Sequence, residues 1–187
     1  MGNYWAIFKE FDGHTYRYDT RIYLEKIQCP TADDFCIGAI IGKNPGSAKP
    51  ASRKNLDLQE IDLDGDKLLP TLRSIMIKAH IESKIPIKSG SFVQVLNLVY
   101  LCDKDLSQAI WKTQALLEQP IRDCESKCFP FVWYVWGGSN KDLNDYKHSF
   151  ENIRTEKHFF FDNTQKRVIE GKPSIDNNAR HTQGLKT

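Results

Sequence analysis

The sequence predicts an α/β fold: a three-layer α/β/α sandwich around a four-stranded parallel sheet, preceded by a β-hairpin. Three observations lead there. Two aromatic-rich segments, Tyr4 to Phe11 and Thr15 to Leu24, flank Asp12-Gly13, a dipeptide suited to a hairpin turn. Short apolar runs near 37–41, 92–98, 130–136 and 157–161 are rich in β-branched and aromatic residues. Segments of helical periodicity separate them, and such alternation implies parallel strands with helices on both faces. The whole chain, 1–187, reads as one domain, with the hairpin in 1–28 and a polar, basic tail in 163–187.

The hairpin is expected at a sheet edge. Tyr16-Arg17-Tyr18 lies in its second arm, where the tyrosines pack on the core; the other reading is a ligand-facing Arg17 between stacking rings. The first parallel strand, Ile37 to Ile41, runs into Gly42-Lys43-Asn44-Pro45-Gly46-Ser47. Pro45 fixes its own φ and holds Asn44 away from the α region. Gly46 is free to take φ > 0, a conformation that gathers backbone N–H groups around an anion. A plain strand-to-loop turn explains the same residues.

Lys49 to Gly65 is polar, basic early and acidic late, and reads as a long loop. Leu68, Leu69, Leu72, Ile75, Met76 and Ala79 form one helical face, with Pro70 in the first turn. Phe92 to Val99 is nearly continuous in its apolarity, which suits a strand buried on both sides, and Asn97 interrupts it. Asp105 to Gln119 reads as a helix capped by Asp105, Phe129 to Trp136 as a strand ending at Gly137-Gly138, Asn140 to Glu156 as a helix, and Lys157 to Phe161 as a strand.

Hydrophobic content of 40%, charged content of 27% and a net charge of +2 are those of an ordinary soluble domain. They announce neither a membrane span nor a strongly basic nucleic-acid surface. The start of the chain lacks the pattern of a signal peptide, so a cytoplasmic protein is expected. The five cysteines then read as reduced thiols. Cys124 and Cys128, with Cys29 or Cys102, lack the second close pair of a zinc module, and neither metal nor cofactor is expected.

In parallel sheets ligands bind beyond the carboxyl ends of the strands. Asn44, Asn97, Gly137 and the basic tail all fall on that rim. The candidate substrate-binding residues on that rim are Gly42, Lys43, Gly46, Ser47, Asn97 and Gly137, and the ligand-facing reading of the hairpin adds Arg17.

Tyr16-Arg17-Tyr18 with Arg21, Asn44-Pro45-Gly46-Ser47-Ala48, Asn97-Leu98, Trp136-Gly137, Gly171-Lys172-Pro173 and Arg180-His181 resemble, in order, the pattern of a bacterial and phage family of unknown function. The closing motif departs from it, since Thr182 stands where that family has proline. Gly42-Lys43-Asn44-Pro45-Gly46 also resembles the loop of mismatch-specific enzymes in the uracil-DNA glycosylase superfamily, and Asn97 the asparagine that ends one of its strands. Lys172-Pro173-Ser174 carries lysine where that superfamily has histidine. The resemblances imply a glycosylase-like four-stranded sheet, with Asn44 positioning a water and Asn97 reading a base edge; they make Asn44 and His181 the candidate catalytic residues and add Lys172, Ser174 and Arg180 to the candidate substrate-binding ones.

Cleaving an N-glycosidic bond needs an oriented water and a donor for the leaving base anion. Asn44 suits the first role, and Lys172 or His181 the second. The sequence thus points to a hydrolase acting on a nucleobase in DNA or in a nucleotide. Two alternatives stand beside it: a non-catalytic nucleotide- or nucleic-acid-binding protein on the same fold, and a degenerate protein that binds a partner. Oligomeric state stays open.

Overall fold

Nine strands in a single mixed sheet organise the chain, in the order β4-β5-β1-β2-β6-β3-β7-β8-β9. The computed structural model describes residues 1–51, 58–116, 122–137, 140–176 and 179. The strands are β1 (Gly2–Phe11), β2 (His14–Ile27), β3 (Phe35–Gly42), β4 (Lys49–Pro50), β5 (Gln59–Asp62), β6 (Ser91–Asn97), β7 (Phe129–Tyr134), β8 (Thr155–Asp162) and β9 (Arg167–Glu170). The α-helices are α1 (Leu68–Glu82), α2 (Leu106–Gln114) and α3 (Asn144–His148).

This overturns the expected three-layer sandwich on a four-stranded sheet. Parallel pairing is confined to β6-β3-β7-β8, and the other strands join antiparallel. The hairpin lies inside the sheet and not at its edge, because β2 pairs with β6 while β1 pairs with β5. Part of the expected long loop supplies β4 and β5. Part of the expected tail supplies β9, where Asp162 Oδ1 accepts from the Thr164 and Gln165 N–H groups and turns the chain back.

The helices are shorter than their periodicity suggests. α2 starts where Asp105 caps it, its Oδ1 accepting from Ser107 N at 2.8 Å, but it ends at Gln114. The expected helix over 140–156 reduces to a short 3₁₀ turn and the five residues of α3. Ser149 Oγ donates to Tyr146 O there, a local bond that competes with the helical ladder.

The sheet separates two cores. On one face Ile40, Val93 and Val95 pack with Leu69 and Leu72 of α1. On the other Ile41, Leu96, Val132 and Tyr134 pack with Ala109 and Ile110 of α2 and with Phe150. Adjacent Ile40 and Ile41 thus serve opposite cores, as the period of a strand requires.

The register of β2 on β1 shifts at two places, between the partners of Gly2 and Tyr4 and between those of Trp5 and Ile7, and the second shift concerns Arg17. Trp5 pairs with Arg21, but Ile7 pairs with Tyr18, so β2 carries one extra residue between these pairs. Asp19 lies there at φ +42°, a left-handed conformation that Asp tolerates better than most residues. The bulge reverses the faces of β2. Ile22 packs on the α1 side, whereas Tyr16 and Tyr18 pack on the α2 side. Arg17, opposite Phe8, is thereby turned to the α1 side.

Asp19→Asn keeps a residue at ease with positive φ, while Asp19→Val adds a β-branched one. The valine variant should be less stable than the asparagine variant by about 1–2 kcal/mol in urea denaturation. Equal stability would mean that the bulge imposes no such constraint.

Candidate anion-binding cavity

Three chain segments meet at the carboxyl end of β3 and β6. Beyond the strands, Leu98 N bonds Gly42 O at 3.0 Å and Val99 N bonds Lys43 O at 2.8 Å, so the two chains stay side by side. The stretch after β6 then runs against the start of β2: Arg17 N bonds Tyr100 O, and Cys102 N bonds Thr15 O. This brings Asp103 and Lys104 beside the loop after β3. Asn44 closes the junction, its Nδ2 donating to Asp103 O at 2.8 Å. Lys112 Nζ bonds Asp103 Oδ2 at 2.7 Å and holds that carboxyl below its usual range.

The segment entering α1 forms the facing wall. Asp64 and Gly65 turn the chain at φ +42° and +81°. Leu68 N donates to Asp66 Oδ1 at 2.7 Å, and Leu69 and Leu72 anchor the helix on the sheet.

Between these walls lies a cavity of about 470 Å³. Arg17, Asn44, Gly46 and Ser47 line it together with Asp64, Asp66, Lys67 and Lys104. Gly46 takes φ +68°, and a Cβ there would meet nothing within 4 Å, so its demand for glycine is conformational.

Arg17 is the unusual group. It is only 2% exposed, and its Nε and Nη1 are buried without a hydrogen-bond partner. Burial pushes its pKa below the ordinary value, while Cys102 and Asp66 oppose the shift. The Cys102 thiol is itself pushed up to about 11, by burial above all.

The other expected site residues divide. Asn97 is buried, its Nδ2 lacks a partner, and it lines neither this cavity nor the one described next. Gly42 pairs with it, and a Cβ at Gly42 would stand 3.3 Å from Asn97 Oδ1. Lys43 is half-buried, and desolvation lowers its pKa.

Lys172 and Ser174 line a second cavity of about 460 Å³, with Tyr134, Trp136 and Lys147. Its cations are engaged: Lys147 Nζ donates to Ile175 O at 2.7 Å, and Lys172 Nζ donates to Glu151 O. Gly137 is buried, its N–H bonded to Ala179 O. Arg180 and His181 lie outside the described residues. Asn44 and Arg17 therefore share one cavity with Gly46 and Ser47, whereas Asn97, Lys172 and Ser174 stand apart from it.

Sequence reasoning missed Asp64, Asp66, Lys67 and Lys104. The signal was present in the acidic run that ends at an Asp-Gly turn just before a helix. The cysteines are all free, and no group of three or more His, Cys, Asp or Glu is placed to hold a metal among the described residues. No helix among them is long and apolar enough to cross a membrane. Comparison with protein-family models, with curated proteins and with solved structures yields no match.

Replacing Arg17 with Met removes an unpaired buried charge and keeps most of the volume. The free protein should gain about 1–4 kcal/mol, read as a higher urea midpoint at unchanged slope. A lower midpoint would mean that the guanidinium is already satisfied without a ligand.

Proposed function

We propose that this protein binds a nucleotide by its phosphate group in the Arg17 cavity. The observation that carries the reading is Arg17 itself. A guanidinium held almost wholly out of water with Nε and Nη1 unpaired costs several kcal/mol, and a phosphate in the cavity offsets its charge and accepts from the remaining Nη2. Gly46 and Ser47 add a glycine-bearing turn of the kind that cradles anions, and Lys67 and Lys104 stand at the lining with exposed amines. A volume of about 470 Å³ suits a small phosphorylated ligand and lies within the usual range of ligand pockets.

A second reading, hydrolysis of the N-glycosidic bond of that nucleotide, rests on Asn44. Its Nδ2 is spent on Asp103 O, so Oδ1 is the side-chain atom left to accept from a water. An amide orients water without acting as a base. The leaving base would need a donor that the described lining does not single out.

Calorimetric titration with adenosine and uridine 5′-phosphates and with inorganic phosphate tests the binding. The protein should bind the nucleotides, and Arg17→Met should weaken them by at least about tenfold, the loss of a charge-assisted hydrogen bond. Equal affinity in the two proteins, or none in either, would overturn the reading. Chromatography of the same mixtures detects free base; none released would sink the hydrolase reading and leave binding intact.

A further inference from the structure

Asp64 and Asp66 line the cavity that contains Arg17. Carboxylates beside a phosphate repel it unless a cation stands between them. Among the described residues no donor bonds the Asp64 carboxylate; Asp64 sits in the turn at φ +42°, its N–H donating to Asp62 Oδ1. Asp66 spends Oδ1 on the Leu68 N–H and keeps Oδ2. Two partly unspent carboxylates therefore share a cavity with a buried guanidinium that lacks acceptors. The two halves are opposite in sign, and neither satisfies the other by a hydrogen bond.

We infer that the cavity takes its phosphate as a divalent-cation chelate, with Arg17 bonding phosphate oxygens and Asp64 and Asp66 facing the metal. This rests on the nucleotide reading above and names its ligand more closely. A small hard cation such as Mg²⁺ is held by one or two carboxylates, substrate phosphate oxygens and waters, and not by a cage of protein ligands. Two carboxylates are enough for that arrangement, and they fall short of a site that would hold the metal alone. The cation and the phosphate thus bind together. The metal screens the carboxylates from the phosphate, and the phosphate completes the metal's shell. Lys67 and Lys104 bring the positive charge that a polyphosphate needs in excess of one cation.

The experiment is calorimetric titration of the full chain with adenosine 5′-triphosphate in excess Mg²⁺ and again in EDTA, with Mg²⁺ alone as a third arm. Affinity should fall at least about tenfold in EDTA, and Mg²⁺ alone should bind weakly or not at all. The double variant Asp64→Asn, Asp66→Asn, checked for folding by circular dichroism, should bind in Mg²⁺ no better than the unaltered protein does in EDTA. Equal affinity with and without Mg²⁺ would overturn the chelate while leaving nucleotide binding in place. Tight binding of Mg²⁺ alone would also overturn it. No binding in any arm would remove the nucleotide reading and the chelate with it.

Discussion

One extra residue in β2 sets the character of this protein. In a strand, side chains alternate between faces, and a single-residue shift sends every one of them to the other side. Asp19 supplies that shift. Downstream of it, Ile22 packs against α1. Upstream, Tyr16 and Tyr18 pack into the opposite core, where their rings stack and Tyr18 stacks on Tyr100. Arg17 between them has no choice but the α1 side. A regular strand would have placed the tyrosines beside α1 and turned Arg17 to the aromatic core. Asp19 is held in place by Arg21 at 2.8 Å, with Lys127 at 3.6 Å from the same carboxylate, so the bulge is tied to its surroundings.

The bulge matters because of what surrounds Arg17. Antiparallel pairing of β2 with β6 puts the first residues of β2 at the carboxyl end of the parallel strands. There the loop after β3 and the stretch after β6 converge, pinned by Asn44 and Asp103. α1, anchored through Leu69 and Leu72, presents its preceding turn from the same side. A buried charge without a partner is among the most costly features a free protein can carry. Such strain persists where it serves binding, because the ligand then supplies the missing interaction.

Much of this was legible in the residues, and the misses have physical causes. The β-branched and aromatic runs marked the strands that became β3, β6, β7 and β8, and Asp12-Gly13 marked the hairpin. Pattern shows that a strand exists but not which neighbour it pairs with, so the hairpin was expected at an edge and lies inside the sheet. Short polar strands such as β4, β5 and β9 carry little alternation to detect. Their place comes from pairing with neighbours already formed. Helical periodicity over 140–156 reflected one buried face, yet local side-chain bonds ended the helix early.

For the site, Asn44, Gly46, Ser47 and Arg17 were readable from turn chemistry and from an arginine set among tyrosines. Asn97 was readable as an anomaly, but its burial beside Gly42 takes it out of the cavity. Lys172 follows β9, whose existence the polar tail concealed. Asp64 and Asp66 were visible as charges, and only the docking of α1 makes them neighbours of Arg17.

Direct contact between Arg17 and the ligand is what the proposed binding depends on. Nuclear magnetic resonance of arginine side chains labelled with ¹⁵N observes that contact. On titration with nucleotide, the Arg17 Nη–H correlations should move to lower field and their exchange with water should slow as a proton enters a hydrogen bond to phosphate. A nucleotide that binds, shifting backbone signals elsewhere while leaving the Arg17 Nη–H signals unchanged in position and exchange, would contradict it.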